Sequence, residues 1–442
     1  MLFYLKKVQE FSRFVKPAFS FISNHSESSL KITNAGQVAQ WRLCTGCGAC
    51  AYICPQQNIK LIDVLEEGIR PISDPNKCNH CGTCLTICPG YEIGKDIFPE
   101  QKDAIKQLQK KWGQVLEVWE GYATDPEIRF TGSSGGMVSA LALYCLEKEG
   151  MGGVLHTAVN ERNPLVNRTV MSRSREDILR GAGSRYAPVS PCGDLKWIEE
   201  SPTPCVFVGK PCDAAAVRKA IKMREVLQER MGLILSIFCA GTPSSKGSLD
   251  LLDKLKINRM GIEELRYRGK GWPGLFYVKE KDGETAKTLP YKEAWGFLQA
   301  YRPYRCHLCP DSTGELADIA CGDPWYRKPD EDNMGYSLVL VRTERGRKIL
   351  RNALREGYVI LQRADPGILQ RSQQEMPIKK GAVWGRIMTF RAFGLPAPRY
   401  KGFALFKNWL AIPFKEKARS TLGTARRIIQ RKYYKKVKFT LE

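Results

Sequence analysis

The chain has 442 residues, more than one compact core accommodates, so two or three domains are expected. Hydrophobic residues make up 43% and charged residues 26%, which excludes a wholly disordered chain, and no apolar run reaches the roughly eighteen residues a membrane-spanning helix needs. The net charge of +23 invites nucleic acid as a partner, but residues 399–442 alone hold thirteen Lys or Arg against two Glu and no groove-reading motif accompanies them, so nucleic acid is set aside.

Residues 1–38 read as a basic amphipathic extension. Leu2, Leu5, Val8, Phe11 and Val15 recur at helical spacing while Lys6, Lys7, Arg13 and Lys16 interrupt them, so the continuous apolar core of a secretory leader is missing. The 16 cysteines are therefore read in a reducing, cytoplasmic setting, where clusters of cysteine point to metal and not to disulfides.

Residues 39–95 hold two runs of one pattern, C-x2-C-x2-C-x3-C-P: Cys44, Cys47, Cys50 and Cys54 before Pro55, then Cys78, Cys81, Cys84 and Cys88 before Pro89. This is the run of two-cluster bacterial ferredoxins, in which the fourth cysteine serves the other cluster. It assigns Cys44, Cys47, Cys50 and Cys88 to one 4Fe–4S cluster and Cys78, Cys81, Cys84 and Cys54 to a second. Zinc would use paired cysteines and leaves the fourth cysteine and the proline of each run unexplained. His80 is read as a loop residue.

After a charged linker, 96–114, strand-like and helix-like segments alternate over 115–394. Strands are expected at 116–123, 153–159, 205–208, 233–239, 336–341 and 358–362, with helices at 137–148, up to 221, and at 344–356. The fold class is thus a bacterial-ferredoxin-like domain fused to a larger α/β domain, with basic extensions at both ends. The turn Gly132–Gly136 leads straight into a helix, where free N–H groups could receive a phosphate or a flavin edge; as a lone feature it is more often a plain turn. His156 and His307 are both candidates for proton delivery; His156 lies mid-strand, where a core role is the simpler reading. In the tail, 395–442, Phe403, Leu405, Phe406, Trp409, Leu410 and Ile412 precede a dense run of Lys and Arg. That suits an anionic membrane surface or an acidic partner, or else a solvated tail.

Six segments in order carry a resemblance: Ser133–Leu141, Gly183–Tyr186, Val208–Ala216, Phe238–Gly241, Cys306–Cys309 and Glu315–Asp323. Together they resemble the coenzyme F-420 hydrogenase/dehydrogenase beta-subunit family, which also includes ferredoxin-linked reductases of chlorophyll pigments. The resemblance covers about residues 40–345 and implies FAD in the α/β domain. It places Ser133, Ser134, Gly135, Gly136 and Met137 at the flavin, with Ser184, Arg185 and Tyr186 beside it and Gly209 and Lys210 in a second turn. Lys210 or Arg185 would supply a cation to the reduced flavin, unless each is an ordinary ion pair. It further implies a third 4Fe–4S cluster on Cys212, Cys239, Cys306 and Cys309, with Cys321 the nearest substitute and a buried core thiol the alternative for Cys239. Arg268, Trp272, Asp311 and Asp323 sit in motif-like segments and are candidates to line the site.

The function implied is an iron–sulfur flavoprotein oxidoreductase that passes electrons between clusters and FAD and hydride to or from a deazaflavin. The alternatives are a ferredoxin-dependent reductase of another organic substrate and a non-catalytic relay subunit. Expected partners are a ferredoxin or a hydrogenase/dehydrogenase subunit, in the cytoplasm or peripherally at a membrane.

Overall fold

The computed structural model describes residues 31–281, 286–329 and 334–439. Most of the amphipathic extension expected over 1–38 lies outside the described residues.

Eight strands form a central sheet: β1 (Glu117–Ala123), β2 (Val154–Asn160), β3 (Asn163–Ser172), β4 (Cys205–Gly209), β5 (Met231–Ile237), β6 (Ile319–Gly322), β7 (Ser337–Val341) and β8 (Val359–Arg363). Their order is β8-β1-β7-β6-β5-β4-β2-β3. The middle four, β6, β5, β4 and β2, are parallel, and antiparallel pairs close both flanks. The inner strands are apolar on both faces, as a sheet covered on both sides requires. Leu233 and Leu235 of β5 point to one core and Ile234 to the other; Val206 and Phe207 of β4 split in the same way. Helix α1 (Met137–Glu147) packs on the first face and α2 (Pro211–Ile221) on the second. The second core also contains Ala49 and Ile87, so the cysteine block packs against the sheet domain.

The strands expected from sequence lie within two residues of these; β5 ends at Ile237 and leaves Phe238 and Cys239 in the following loop. No sequence signal marks strands β3 and β6. Nor does one mark a lateral lobe, in which an antiparallel sheet of Ile262–Arg266, Leu275–Glu280 and Ala286–Pro290 packs on helices Ser245–Lys254 and Tyr291–Leu298. The segment 96–114 contains a short helix, Lys106–Trp112.

The tail is folded from 399 to 439. Helix α3 (Glu375–Ala392) leads to Arg399–Lys401, which pairs in parallel with Glu92–Gly94 of the cysteine block. Helices α4 (Leu405–Ala411) and α5 (Phe414–Gln430) then fold back on α3. Gly381 and Gly385 of α3 permit this approach: a Cβ at Gly381 would lie 2.5 Å from Ile412, and one at Gly385 2.8 Å from Trp409 Nε1. Part of the tail's apolar pattern is thereby spent inside the protein. Phe403, Ile412, Ile428 and Tyr433 are buried, whereas Phe406, Leu410, Phe414 and Leu422 stay exposed.

Candidate functional site

Both cysteine runs fold alike. In each, a left-handed glycine, Gly48 (φ 88°) or Gly82 (φ 75°), opens a short helix that carries the third cysteine, Cys50 or Cys84. The hairpin Ile59–Val64/Gly68–Ser73 joins them. The fold brings the eight cysteines together in the crossed sets: Cys44, Cys47, Cys50 and Cys88 line one cavity, and Cys54, Cys78, Cys81 and Cys84 another. Among the described residues no three His, Cys, Asp or Glu side chains close on a single ion. The cysteines surround a space instead, as ligands of a multi-atom cluster do. Cys44, Cys47, Cys50 and Cys88 are buried, and Cys81 is exposed. Burial pushes the thiol of Cys50 far up and that of Cys88 to about 12, with neighbouring cysteines adding to both. Cys47 is lowered instead, by a hydrogen bond from Cys192, but thiolates this close are costly together without a cationic core between them.

The first cluster loop docks on the sheet domain. Ser190 Oγ donates to the Gly46 carbonyl (2.7 Å) and Cys192 N to the Cys47 carbonyl (2.9 Å). From the other side, Arg305 Nε donates to the Leu43 carbonyl (2.8 Å) and its Nη2 to the Pro89 carbonyl (3.1 Å), tying both cysteine runs to one side chain.

A third set of cysteines lies at the carboxyl ends of the parallel strands, where open α/β sheets place their ligands. Cys212 is in the first turn of α2, after β4. Cys239 follows β5, and Cys306 and Cys309 flank the end of a short helix, Tyr304–His307. All four line one cavity together with Cys44. Arg305 Nη1 is buried there with no protein acceptor, a donor available to an anionic cluster. Asp311, on the same wall, is held by the N–H groups of Thr313 and Glu315. Cys321 is buried in β6 and lines a different cavity; Cys145 and Cys205 are core residues.

That different cavity, of about 300 Å³, is bordered by the segments the resemblance assigns to the flavin. Ser133, Ser134, Gly136, Met137, Ser184, Arg185, Tyr186, Gly209 and Lys210 line it. Gly135 sits behind, its N–H on Ser337 Oγ (2.9 Å) and a Cβ excluded by Gly121 and Ser337. Gly136 caps α1 in the left-handed region (φ 71°) with no side-chain acceptor for the first N–H groups, which are left for a ligand. The volume matches the lower range of cofactor sites. A flavin therefore fits the residues present.

Arg185, Lys210 and Arg268 border this cavity. Arg185 is engaged elsewhere: it donates to Asn167 Oδ1 (2.7 Å) and to the carbonyls of Leu265 and Pro164 (both 2.6 Å). Lys210 is partly buried and paired with Asp213 (2.7 Å). Burial works against its charge, but Asp213 and nearby thiols outweigh that and hold the ammonium above its ordinary value. His156 also lines the cavity, with Nε2 2.7 Å from Ser172 Oγ. Burial pushes its pKa down to about 4, so it is neutral at pH 7. His307 faces a neighbouring cleft; burial and then Arg302, Arg386 and Lys379 lower it to about 3.

Of the motif-like residues, Arg268 and Asp323 form a buried ion pair at the cavity, with Trp272 Nε1 donating to Asp323 (2.8 Å). Arg268 also lies over the rings of Tyr291 and Trp325, which stack 5.3 Å apart. Sequence reasoning misses Tyr291, Trp295 and Met376: they reach the cavity from the lateral lobe and from α3, which no local pattern connects to it.

The cavities form a series. The outer cysteine cavity and the inner ferredoxin cavity share Ala35; the latter and the third-cysteine cavity share Cys44, Thr45, Gly46 and Ile69; that cavity and the flavin-type cavity share Val189, Lys210, Cys239, Gly241 and Thr242.

Comparison with known proteins covers the cysteine block and the sheet domain. Residues 43–91 match a 4Fe-4S dicluster domain. Residues 118–196 and 204–367 match the N-terminal and C-terminal parts of coenzyme F-420 hydrogenase/dehydrogenase beta subunits. The chain is 30% identical over 282 residues to the coenzyme F-420 hydrogenase subunit beta of Methanococcus voltae, covering 62% of this chain and 95% of that one. It is 27% identical to an F(420)H(2) dehydrogenase subunit of Methanosarcina mazei, covering 75% and 88%. A chain of the F-420-reducing NiFe hydrogenase complex from Methanosarcina barkeri superimposes with a TM-score of 0.52 at 25% identity, over 65% of this chain and 97% of that one.

Proposed function

This chain belongs to the coenzyme F-420 hydrogenase/dehydrogenase beta-subunit family, and from that premise we propose that it is an FAD and 4Fe–4S oxidoreductase exchanging hydride with a deazaflavin-type substrate. When bound, the clusters would supply single-electron transfer and FAD the conversion between single electrons and hydride. The observation that carries the reading is the shared wall: Lys210 and Cys239 border both the third-cysteine cavity and the flavin-type cavity.

Each side chain then has a task. Cys44, Cys47, Cys50 and Cys88, Cys54, Cys78, Cys81 and Cys84, and Cys212, Cys239, Cys306 and Cys309 would hold three clusters. The turn Gly132–Met137 and the first N–H groups of α1 would hold FAD, with Lys210 as the nearby cation favouring its reduced, anionic form. Tyr291, Trp272 and Trp325, braced by the Arg268–Asp323 pair, offer flat surfaces for a substrate ring and exclude water from it. His156 and His307 are neutral at pH 7, so neither is a standing acid there. The exposed outer cavity faces a redox partner, in keeping with relatives that are named as subunits. Among the described residues no helix is long and apolar enough to cross a membrane.

The test is anaerobic addition of reduced coenzyme F-420 to purified protein. Rapid bleaching of the flavin and cluster absorbance is expected. Absence of bleaching, with reduction by ferredoxin instead, would replace the deazaflavin by another organic substrate. Absence of flavin would leave only a relay subunit.

A further inference from the structure

The flavin-type cavity opens into a larger cleft of about 1110 Å³; Ala240, Tyr291, Trp295, Trp325, Gln373 and Met376 line both. The far wall of this cleft comes from α3 and α5, which lie beyond residue 367, where the family match ends. That wall contributes Lys379, Arg386, Arg419 and Arg427. Lys292 and Arg302 stand on the lobe side.

Arg386, Arg419 and Arg427 are poorly compensated, whereas Arg302 and Lys379 also lie beside the third set of cysteines. Arg302 and Lys379 both donate to the Ala240 carbonyl, and Arg386 Nη1 donates to the His307 carbonyl (2.6 Å). Arg386 Nε is buried with no acceptor. Of the two carboxylates on the cleft wall, Glu416 reaches Arg419 at 3.7 Å, and Glu375 pairs with no cation among the described residues. Burial and the like charges of Arg427, Arg419 and Arg302 disfavour the charge on Arg386 more than Tyr304 supports it. A set of like charges held around an open cleft, with guanidinium donors unspent, is the arrangement that receives oxyanions.

We propose that the helices of the C-terminal segment build a subsite for the anionic arm of the redox substrate, a carboxylate or phosphate substituent on a flat ring that lies beside the stacked Tyr291 and Trp325. The inference rests on the substrate-ring reading above and narrows it: the substrate is an anionic ring compound, and a neutral pigment would leave these cations unmatched. The path from the aromatic rings to the basic wall is continuous, since Tyr291 and Trp325 border both spaces while Arg419 and Arg427 border only the cleft.

The experiment compares two probes with one ring, 5-deazaflavin mononucleotide and 5-deazariboflavin, by equilibrium titration into the anaerobic holoprotein. The phosphorylated probe is expected to bind about tenfold tighter, the effect of one or two charge-assisted hydrogen bonds. In Arg419→Gln/Arg427→Gln that preference should vanish while iron, sulfide and flavin contents stay unchanged. Lys292→Gln, an exposed change on the opposite wall, should reduce it without any risk to α5. Equal affinities, or a preference that survives both variants, would overturn the proposal. If neither ring binds, the ring reading has failed on its own, and inorganic tripolyphosphate takes over as the probe. Tight, salt-sensitive tripolyphosphate binding lost in the double variant would still support an anion subsite, and no binding would overturn it.

Discussion

Glu315 shows at the scale of one residue how the parts are joined. Its buried carboxylate pairs with Lys380 of α3 and with Lys95, which follows the cysteine block. Burial would raise its pKa, but the two ammonium groups outweigh that and hold it at about 2. A carboxyl depressed in the folded state contributes stability that is present above its unfolded pKa of roughly 4.3 and lost as pH falls toward the folded value. Glu315→Ala is therefore expected to cost about 3–5 kcal/mol, because two lysines lose their buried partner. Chemical denaturation of the variant at pH 7 should show that loss, and the loss should shrink as pH is lowered from about 4.5 toward 2. A loss that is independent of pH would assign the effect to packing. No sequence signal marks this knot, since Lys95, Glu315 and Lys380 are far apart in the chain. By contrast the cysteine runs are fully legible, because their ligand spacing is local. Arg185 falls between: its place beside the cavity follows from the resemblance, but its hydrogen bonds to Pro164 of β3 and Leu265 of the lateral lobe depend on elements that no local pattern announces.

Among the elements, the α3–α4–α5 unit turns on two glycines. Gly385 sits where a side chain would meet Trp409 and Ser420. Gly385→Leu should overpack the contact by about 1–3 kcal/mol and free α4 and α5. Limited proteolysis is expected to cut between residues 402 and 430 in the variant and not in the parent; equal resistance would show that the close approach is dispensable. The amphipathic pattern of this segment is legible, but its partner is not. Phe403 and Ile428 cover protein, Phe414 faces outward, and hydrophobic periodicity reads the same whether the apolar face meets a bilayer or α3. The helix after Gly136 and strands β2 and β4 can be read from sequence because a glycine turn and β-branched residues mark them locally. Strand β6, four residues long, is specified by its neighbours in the sheet and not by its own sequence.

For the whole molecule, the C-terminal segment acts as a clasp. Arg399–Lys401 adds a strand to Glu92–Gly94, and Tyr433 packs against Tyr304 in the same core as Cys44 and Cys88. Deleting residues 395–442 is expected to expose that core and speed loss of iron to a chelator by about tenfold, the factor that about 1.4 kcal/mol of weakened closure gives. Unchanged iron release would mean that the cysteine block is held by the sheet domain alone. The clasp, the third-cysteine cavity and the flavin-type cavity all adjoin the carboxyl ends of the parallel strands, and the account depends most on the middle one. Its direct test is the metal and flavin content of anaerobically purified protein beside Cys306→Ser/Cys309→Ser. About twelve irons per chain falling to about eight, with flavin retained, is the expected result for three clusters of which one is lost. The same iron content in both proteins would contradict a cluster between the ferredoxin block and the flavin-type cavity.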